Sequence, residues 1–188
     1  MSEKKNKFKI RTAVLTISDK GSRGERKDLS GPIIKEMMEK IGAVIVYEDI
    51  IADEKAEIKK ALIEISDQKQ ADLILTTGGT GFAKRDITPE ATLEVIEKEV
   101  PGIPEKIRAD TLARTPQAAL SRARAGIRKE SLIINFPGSP KAVRECLDAV
   151  IEIIPHGVKI LKGEITEHRH SNVCKLFFFI TRNFCRQR

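Results

Sequence analysis

The chain has 188 residues, 40% of them apolar and 32% charged, enough for one good-sized core and ordinary for a water-soluble globular protein. It has no apolar run of about 18 residues to suggest a membrane span, and the start MSEKKNKFKIRTAVLTISD, interrupted by Arg11, reads as the first strand of a cytoplasmic protein and not as a signal peptide. The net charge of +7 sits in the ends: residues 1–11 and 168–188 each carry five basic residues, leaving 24 basic against 26 acidic between them, and with one Tyr and no Trp this points away from nucleic acid and toward a small anionic ligand.

Residues 9–18, KIRTAVLTIS, predict a buried strand that stops at Asp19 and Gly21. The polar loop DKGSRGERKDLSG leads to a helix start at Pro32, and Ile33, Ile34, Met37, Met38 and Ile41 then fall on one helical stripe before Gly42. AVIVYEDII predicts a second strand. Asp53 precedes a helix with Ile58, Ala61, Leu62 and Ile65 at helical spacing, and DLILTT is a third strand that runs into TTGGTGFAKRD. Thr88 and Pro89 make an N-cap and first residue for a helix over EATLEVIEKEV. Further helical segments follow in IPEKIRADTLA and PQAALSRARA. AGIRKESLIINFPGSP predicts a hairpin around RKES that adds one antiparallel strand; its second strand ends at Phe136, and Pro137-Gly138-Ser139-Pro140 opens a helix to Ile154.

The alternation predicts an α/β domain with a mostly parallel sheet covered on both faces. It is expected to occupy residues 1–170, with 171–188 as a separate tail. Cys146 falls on an apolar helical face and reads as core, while Cys174 and Cys185 fit a reducing compartment better than a disulfide framework. His168 and His170 read as a solvated pair.

Two strands end in glycine turns that feed helices, LILTTGGTG and LIINFPGSP. Such turns let phosphate oxygens approach bare backbone N–H groups, although two tight structural turns explain the same spacing equally well. The loop lacks the G-x-x-x-x-G-K-[ST] of a Walker A motif, and Lys84 stands where a dinucleotide fingerprint needs its last glycine. Instead Arg85-Asp86 follows. A carboxylate beside a phosphate cradle repels the ligand unless a cation intervenes, and hard oxygen donors next to phosphates suit Mg²⁺. Simpler readings remain open: Asp53 as a helix N-cap, Asp86 paired with Arg85 or Lys84 on the surface, and Ser139 as an N-cap before Pro140.

LILTTGGTGFAKRDITPEAT closely resembles the signature of the molybdopterin-binding MogA/MoaB family, which includes the N-terminal domain of gephyrin. Matching pieces follow in order over residues 9–165: LTISDKGSRGERKDLSGP, ADEKAEIKKAL, PGIPEKIR, ALSRARAGIRKESLIINFPGSPKAVRECL and IPHGVKILKG. The resemblance implies a three-layer α/β/α domain in a homotrimer that joins ATP, as co-substrate, to molybdopterin, releases pyrophosphate and hands the adenylylated pterin to a molybdenum-insertion protein. It implies that Asp53 and Asp86 are the catalytic acids and the ligands of Mg²⁺; Ala52 replaces the proline of the family's Pro-Asp-Glu segment. The Asp-x-Ser-Gly-Pro motif falls on Asp28, Ser30, Gly31 and Pro32. The substrate-binding set implied is Asp28, Ser30 and Gly31, then Thr77, Gly78, Gly79, Thr80 and Gly81, then Ser121, Arg122, Pro137, Gly138 and Ser139. A trimeric protein that binds pterin or nucleotide without catalysis is the alternative.

Overall fold

Leu73–Thr77 is buried at all five positions, as a strand in the middle of a doubly covered sheet must be. The computed structural model describes residues 9–69 and 71–164; the tail 171–188, the His168–His170 pair, Cys174 and Cys185 lie outside that range. The strands are β1 (Arg11–Ile17), β2 (Val44–Ile51), β3 (Leu73–Thr77), β4 (Lys98–Glu99), β5 (Ala125–Arg128) and β6 (Ser131–Phe136), in the order β2-β1-β3-β6-β5-β4. β2, β1, β3 and β6 run parallel, and β5 alone opposes them, pairing antiparallel with both β6 and β4.

Helices cover both faces, giving three layers. The helices are α1 (Asp19–Ser22), α2 (Ser30–Lys40), α3 (Lys55–Asp67), α4 (Thr88–Leu93), α5 (Gly102–Leu112), α6 (Pro140–Asp148) and α7 (Ile154–Leu161). Alternate strand residues point to opposite faces. Val14, Leu73, Leu75, Ile134 and Phe136 pack with Ile34 and Met38 of α2, Ile107 of α5, Val143, Cys146 and Leu147 of α6 and Val158 of α7. Ala13, Leu15, Ile74 and Ile133 pack on the other side with Ile58, Leu62 and Ile65 of α3 and with Ala91. Cys146 is thus core, as its position on α6 suggests.

Four stretches differ from the sequence expectation. The helix after Pro89 ends at Leu93, because Glu97 and Val100 donate their N–H groups to Ile127 and Ala125 and form the edge strand β4. Gly126 makes room for this: a Cβ there would lie 2.4 Å from the Ile96 side chain. PQAALSRARA forms only a 3₁₀ turn, Pro116–Leu120, before an extended run in which Arg122 donates its N–H to Thr80 and Arg124 exchanges hydrogen bonds with Asn135. The helix from Pro140 stops at Asp148 and a new one starts at Ile154: between them Val150 and Ile153 donate to the carbonyls three residues back, Leu147 and Val150, and Pro155, which has no N–H, stands in the first turn of the new helix. Ile41, expected on the apolar stripe of α2, is 38% exposed just past the helix end.

One buried polar network locks the layers in register. Asn135, 1% exposed, donates its side-chain amide to Thr76 of β3 (3.0 Å) and Thr92 of α4 (2.9 Å), and its Oδ1 accepts from the Arg124 N–H at 3.2 Å. All of its strong donors and its acceptor are therefore matched in the interior, where unmatched groups are costly.

Candidate active site

Because β1, β2, β3 and β6 are parallel, the segments after them emerge along one edge of the sheet, where ligands of open α/β folds bind. The loops after β3 and β6 touch backbone to backbone. Gly78 has φ +109°, and a Cβ on it would lie 2.2 Å from the Ile17 carbonyl oxygen; one on Gly138 would lie 3.3 Å from the Gly78 Cα. Only glycine fits the Gly78 contact at that φ, and Gly138 leaves room for the close approach. Thr77 donates its hydroxyl to the Pro137 carbonyl (2.7 Å), Ser30 donates its hydroxyl to Gly138 (2.9 Å), and the Gly78 N–H donates to Phe136 (3.1 Å).

Asp53 does not cap a helix. Glu54 stands at the N-cap of α3 and makes no side-chain capping bond. Asp53 Oδ2 instead accepts from the Asp19 N–H at 2.8 Å, and the Asp53 N–H donates back to Asp19 Oδ1 at 3.1 Å. Arg85 closes the cluster, donating Nε and Nη2 to Asp19 (3.0 and 2.8 Å) and Nη1 to Glu54 (2.7 Å). The Arg85 guanidinium holds Asp19 below the usual carboxylate range, whereas burial pushes Asp53 above it, with the charges of Asp19 and Asp86 adding to the rise.

Asp86 does not pair with Arg85 or Lys84. Its Oδ2 accepts from the Ala83 N–H at 2.9 Å, closing its own turn. The glycines of the loop then face the two acids: a Cβ on Gly79 would lie 3.3 Å from Asp53 Oδ1 and 2.3 Å from Thr88 Oγ1, and one on Gly81 would lie 2.9 Å from Asp86 Oδ2. Thr88 Oγ1 is buried there with no hydrogen-bond partner among the described residues.

Two cavities adjoin along this line. A polar one of about 680 Å³ is lined by Asp28, Ser30, Asp53, Thr77 and Gly78, and also by Arg26 and Lys27. An apolar one of about 460 Å³ is lined by Thr80, Gly81, Ile107, Leu120, Ser121, Pro137 and Cys146. Gly79, Asp86, Gly138 and Ser139 belong to both. Ser139 is the N-cap residue of α6 but makes no side-chain capping bond.

Other expected site residues serve the loops. Asp28 accepts from the Thr16 hydroxyl (2.7 Å) and from the N–H groups of Ser30 (2.9 Å) and Gly31 (3.1 Å), and so caps α2 ahead of Pro32; Gly31 is needed because a Cβ would lie 2.4 Å from Asp28 Oδ2. Arg122 turns its guanidinium onto the Gly81 carbonyl (2.7 Å), the Asp86 carbonyl and Glu90, clamping the glycine loop, and lines neither cavity of the shared wall. The sequence reading missed Asp19, Arg26 and Lys27. Asp19 carries a signal of its own, an acid two residues past the carboxyl end of the apolar strand β1.

Among the described residues no three His, Cys, Asp or Glu side chains gather as a metal cage. Two acids from separate loops, set against glycines, nevertheless suit a cation that takes one or two carboxylates and fills its remaining positions with phosphate oxygens and water.

The sequence pattern described as "Probable molybdopterin binding domain" matches residues 13–156. The chain is 46% identical over 166 residues to a molybdopterin adenylyltransferase of Helicobacter pylori, covering 87% of this chain and 94% of that one. It is 39% identical over 162 residues to the molybdopterin adenylyltransferase of Escherichia coli, covering 85% and 78%. A crystal structure of the molybdopterin biosynthesis enzyme MoaB from Thermus thermophilus superposes with a TM-score of 0.78 at 47% identity, covering 82% of this chain and 97% of that one.

The geometry of Asp53 has a consequence for stability. A carboxyl raised in the folded protein binds its proton more tightly there, so folded stability is lost as the pH rises from the ordinary value of about 3.9 through the raised one. Asp53→Asn keeps an oxygen for the Asp19 amide and removes the charge. In the absence of metal and ligand it is expected to melt above wild type at pH 7.5, with the gain shrinking as the pH falls through the raised value and nearly gone below about 4; calorimetry at pH 7.5 and at a pH below about 4 measures this, and a lower melting temperature at pH 7.5 would contradict it.

Proposed function

This chain belongs to the molybdopterin-binding domain family, and from that premise we propose that it is a molybdopterin adenylyltransferase, transferring AMP from ATP to the phosphate of molybdopterin with release of pyrophosphate. The observation that carries the reading is the shared wall, on which glycine backbone and Asp86 stand between a polar and an apolar cavity with Asp53 alongside. Each substrate joins a flat heterocycle to phosphates. Two adjoining cavities that meet at bare backbone suit two such molecules brought together by their phosphates.

The attacking group is a phosphate, already ionised at neutral pH, so the protein needs no strong general base. One of its oxygens attacks the α-phosphorus of ATP, a new P–O bond forms, and the bond to the β-phosphate oxygen breaks as pyrophosphate leaves. The residues must therefore orient two polyanions and offset their repulsion. Loop N–H groups after β3 and β6 hold phosphate oxygens, and the Ser139 hydroxyl stands at the shared wall to donate to them. Asp53 and Asp86 would hold Mg²⁺, which supplies charge neutralisation between the substrates and on the departing pyrophosphate. Asp19, locked by Arg85, fixes the direction in which Asp53 presents its carboxylate.

The working unit in this reading is a homotrimer in the cytoplasm that passes its product to a molybdenum-insertion protein. Leu93, Leu112 and Leu120, exposed by 38%, 45% and 50%, support an assembly through the segment that follows the glycine loop. Light scattering at micromolar concentration is expected to give three times the chain mass; a stable monomer would rule out the trimer.

Asp86→Asn and Asp53→Asn preserve shape and remove charge. Each is expected to lower turnover by about 100-fold or more while molybdopterin affinity changes little, because the lost interaction mainly stabilises charge in the transition state. Product formation followed by chromatography at saturating Mg²⁺ measures it. Wild-type rates in both variants would rule out the carboxylate mechanism.

A further inference from the structure

The polar cavity contains two cations that the transfer steps above leave unused. Arg26 and Lys27 line it from the loop between α1 and α2, and among the described residues neither side chain has a hydrogen-bonding or acidic partner. Their neighbours are committed: Arg23 pairs with Glu25 at 2.7 Å, and Arg85 pairs with Asp19 and Glu54. The loop itself is held. Gly24, at φ +73°, donates its N–H to Gly21 (2.9 Å), and Glu25 and Arg26 both donate to the Lys20 carbonyl (2.8 and 3.2 Å).

The acids that share the cavity are Asp28, Asp53 and Asp86. Asp28 is satisfied by the Thr16 hydroxyl and the N–H groups of Ser30 and Gly31, which also removes those two amides at the start of α2 from any ligand. Asp53 and Asp86 face the glycine loop. An anion entering from the α1–α2 side therefore meets free positive side chains, not helix amides. Two charged donors suit a ligand with several phosphate oxygens.

Resting on the adenylyl-transfer reading, we propose that Arg26 and Lys27 form the subsite that receives the β- and γ-phosphates of the nucleotide and holds pyrophosphate as it leaves. In-line displacement puts the attacking and departing oxygens on opposite sides of the α-phosphorus. If that phosphorus lies at the wall of Gly79, Asp86, Gly138 and Ser139, one side opens on the apolar cavity and the other on the polar cavity with its two free cations. When the α–β anhydride bond breaks, its electron pair stays on the bridging oxygen of pyrophosphate, and this added negative charge develops on the side of Arg26 and Lys27. The α-phosphorus gains its new bond to the pterin phosphate oxygen, and no proton or redox partner is required.

Both side chains are exposed and unpaired among the described residues, so the double variant Arg26→Ala/Lys27→Ala of the full chain is expected to melt like wild type. Titration calorimetry with Mg²⁺ present and inorganic pyrophosphate, ATP, AMP and molybdopterin as separate probes tests the subsite. Affinity for pyrophosphate and for ATP is expected to fall about tenfold or more, with AMP and molybdopterin within about twofold of wild type. Unchanged pyrophosphate and ATP affinity overturns the proposal, as does an equal loss for AMP. A loss confined to molybdopterin overturns it too, assigning the cations to the pterin's phosphate. The transfer reading fails separately: wild-type protein that binds pyrophosphate through these two side chains yet makes no adenylylated product keeps the subsite and loses the reaction.

Discussion

The approach of Gly138 to Gly78 fixes the distance between the two loops that face the ligand, and the remainder of the site is arranged around it. A Cβ on Gly138 would lie 3.3 Å from the Gly78 Cα, and one on Gly78 would strike the Ile17 carbonyl at 2.2 Å, so the ends of β1, β3 and β6 are in backbone contact. That contact is possible because β1, β3 and β6 are adjacent and parallel. The hydroxyls of Thr77 and Ser30 then bond the loop carbonyls of Pro137 and Gly138, and Gly79 of the glycine loop lines the wall between the cavities.

Around this backbone the charges are distributed so that stability is given up at one place. Asp53 is half-buried among other acids and carries a raised pKa, while Asp19 beside it is held by Arg85 and carries a lowered one. The reciprocal bonds between Asp19 and Asp53 keep the unfavourable member pointed. An acid that is unfavourable without a cation and fixed in direction is what a site needs if it is to recruit Mg²⁺ together with a polyphosphate. Arg122 performs the matching task for the loop, where its guanidinium binds the Gly81 and Asp86 carbonyls.

Much of this was readable from the chain, and the failures share a cause. β3 and β6 were legible because unbroken apolar runs ending in glycine turns leave little choice of structure. The resemblance in LILTTGGTGFAKRD pointed to Asp86 and that in ADEKAEIKKAL to Asp53, whereas the residues alone left Asp53 as an N-cap; only the packed loops show its carboxylate turned to Asp19. Residues 94–100 read as helix because Val95 and Ile96 continue an apolar period, but their strand partners lie on β5, in the pairings of Glu97 with Ile127 and of Val100 with Ala125, and no local pattern reports them. The extended run at Arg122–Arg124 is set in the same way by Thr80 and Asn135. Arg26 and Lys27 sit in a charged stretch that looks merely solvated until the cavity and the absence of partners among the described residues are seen together.

In the proposed reading the two cavities, the acids and the free cations serve one event, transfer of the α-phosphate of ATP at the wall between them. Incubating the protein with molybdopterin, Mg²⁺ and ATP labelled on either the α- or the γ-phosphate tests it directly. The α label is expected in the pterin product and the γ label in free pyrophosphate, in equal amounts and at equal rates. Gamma label on the pterin, or release of either label without a labelled pterin, would contradict it.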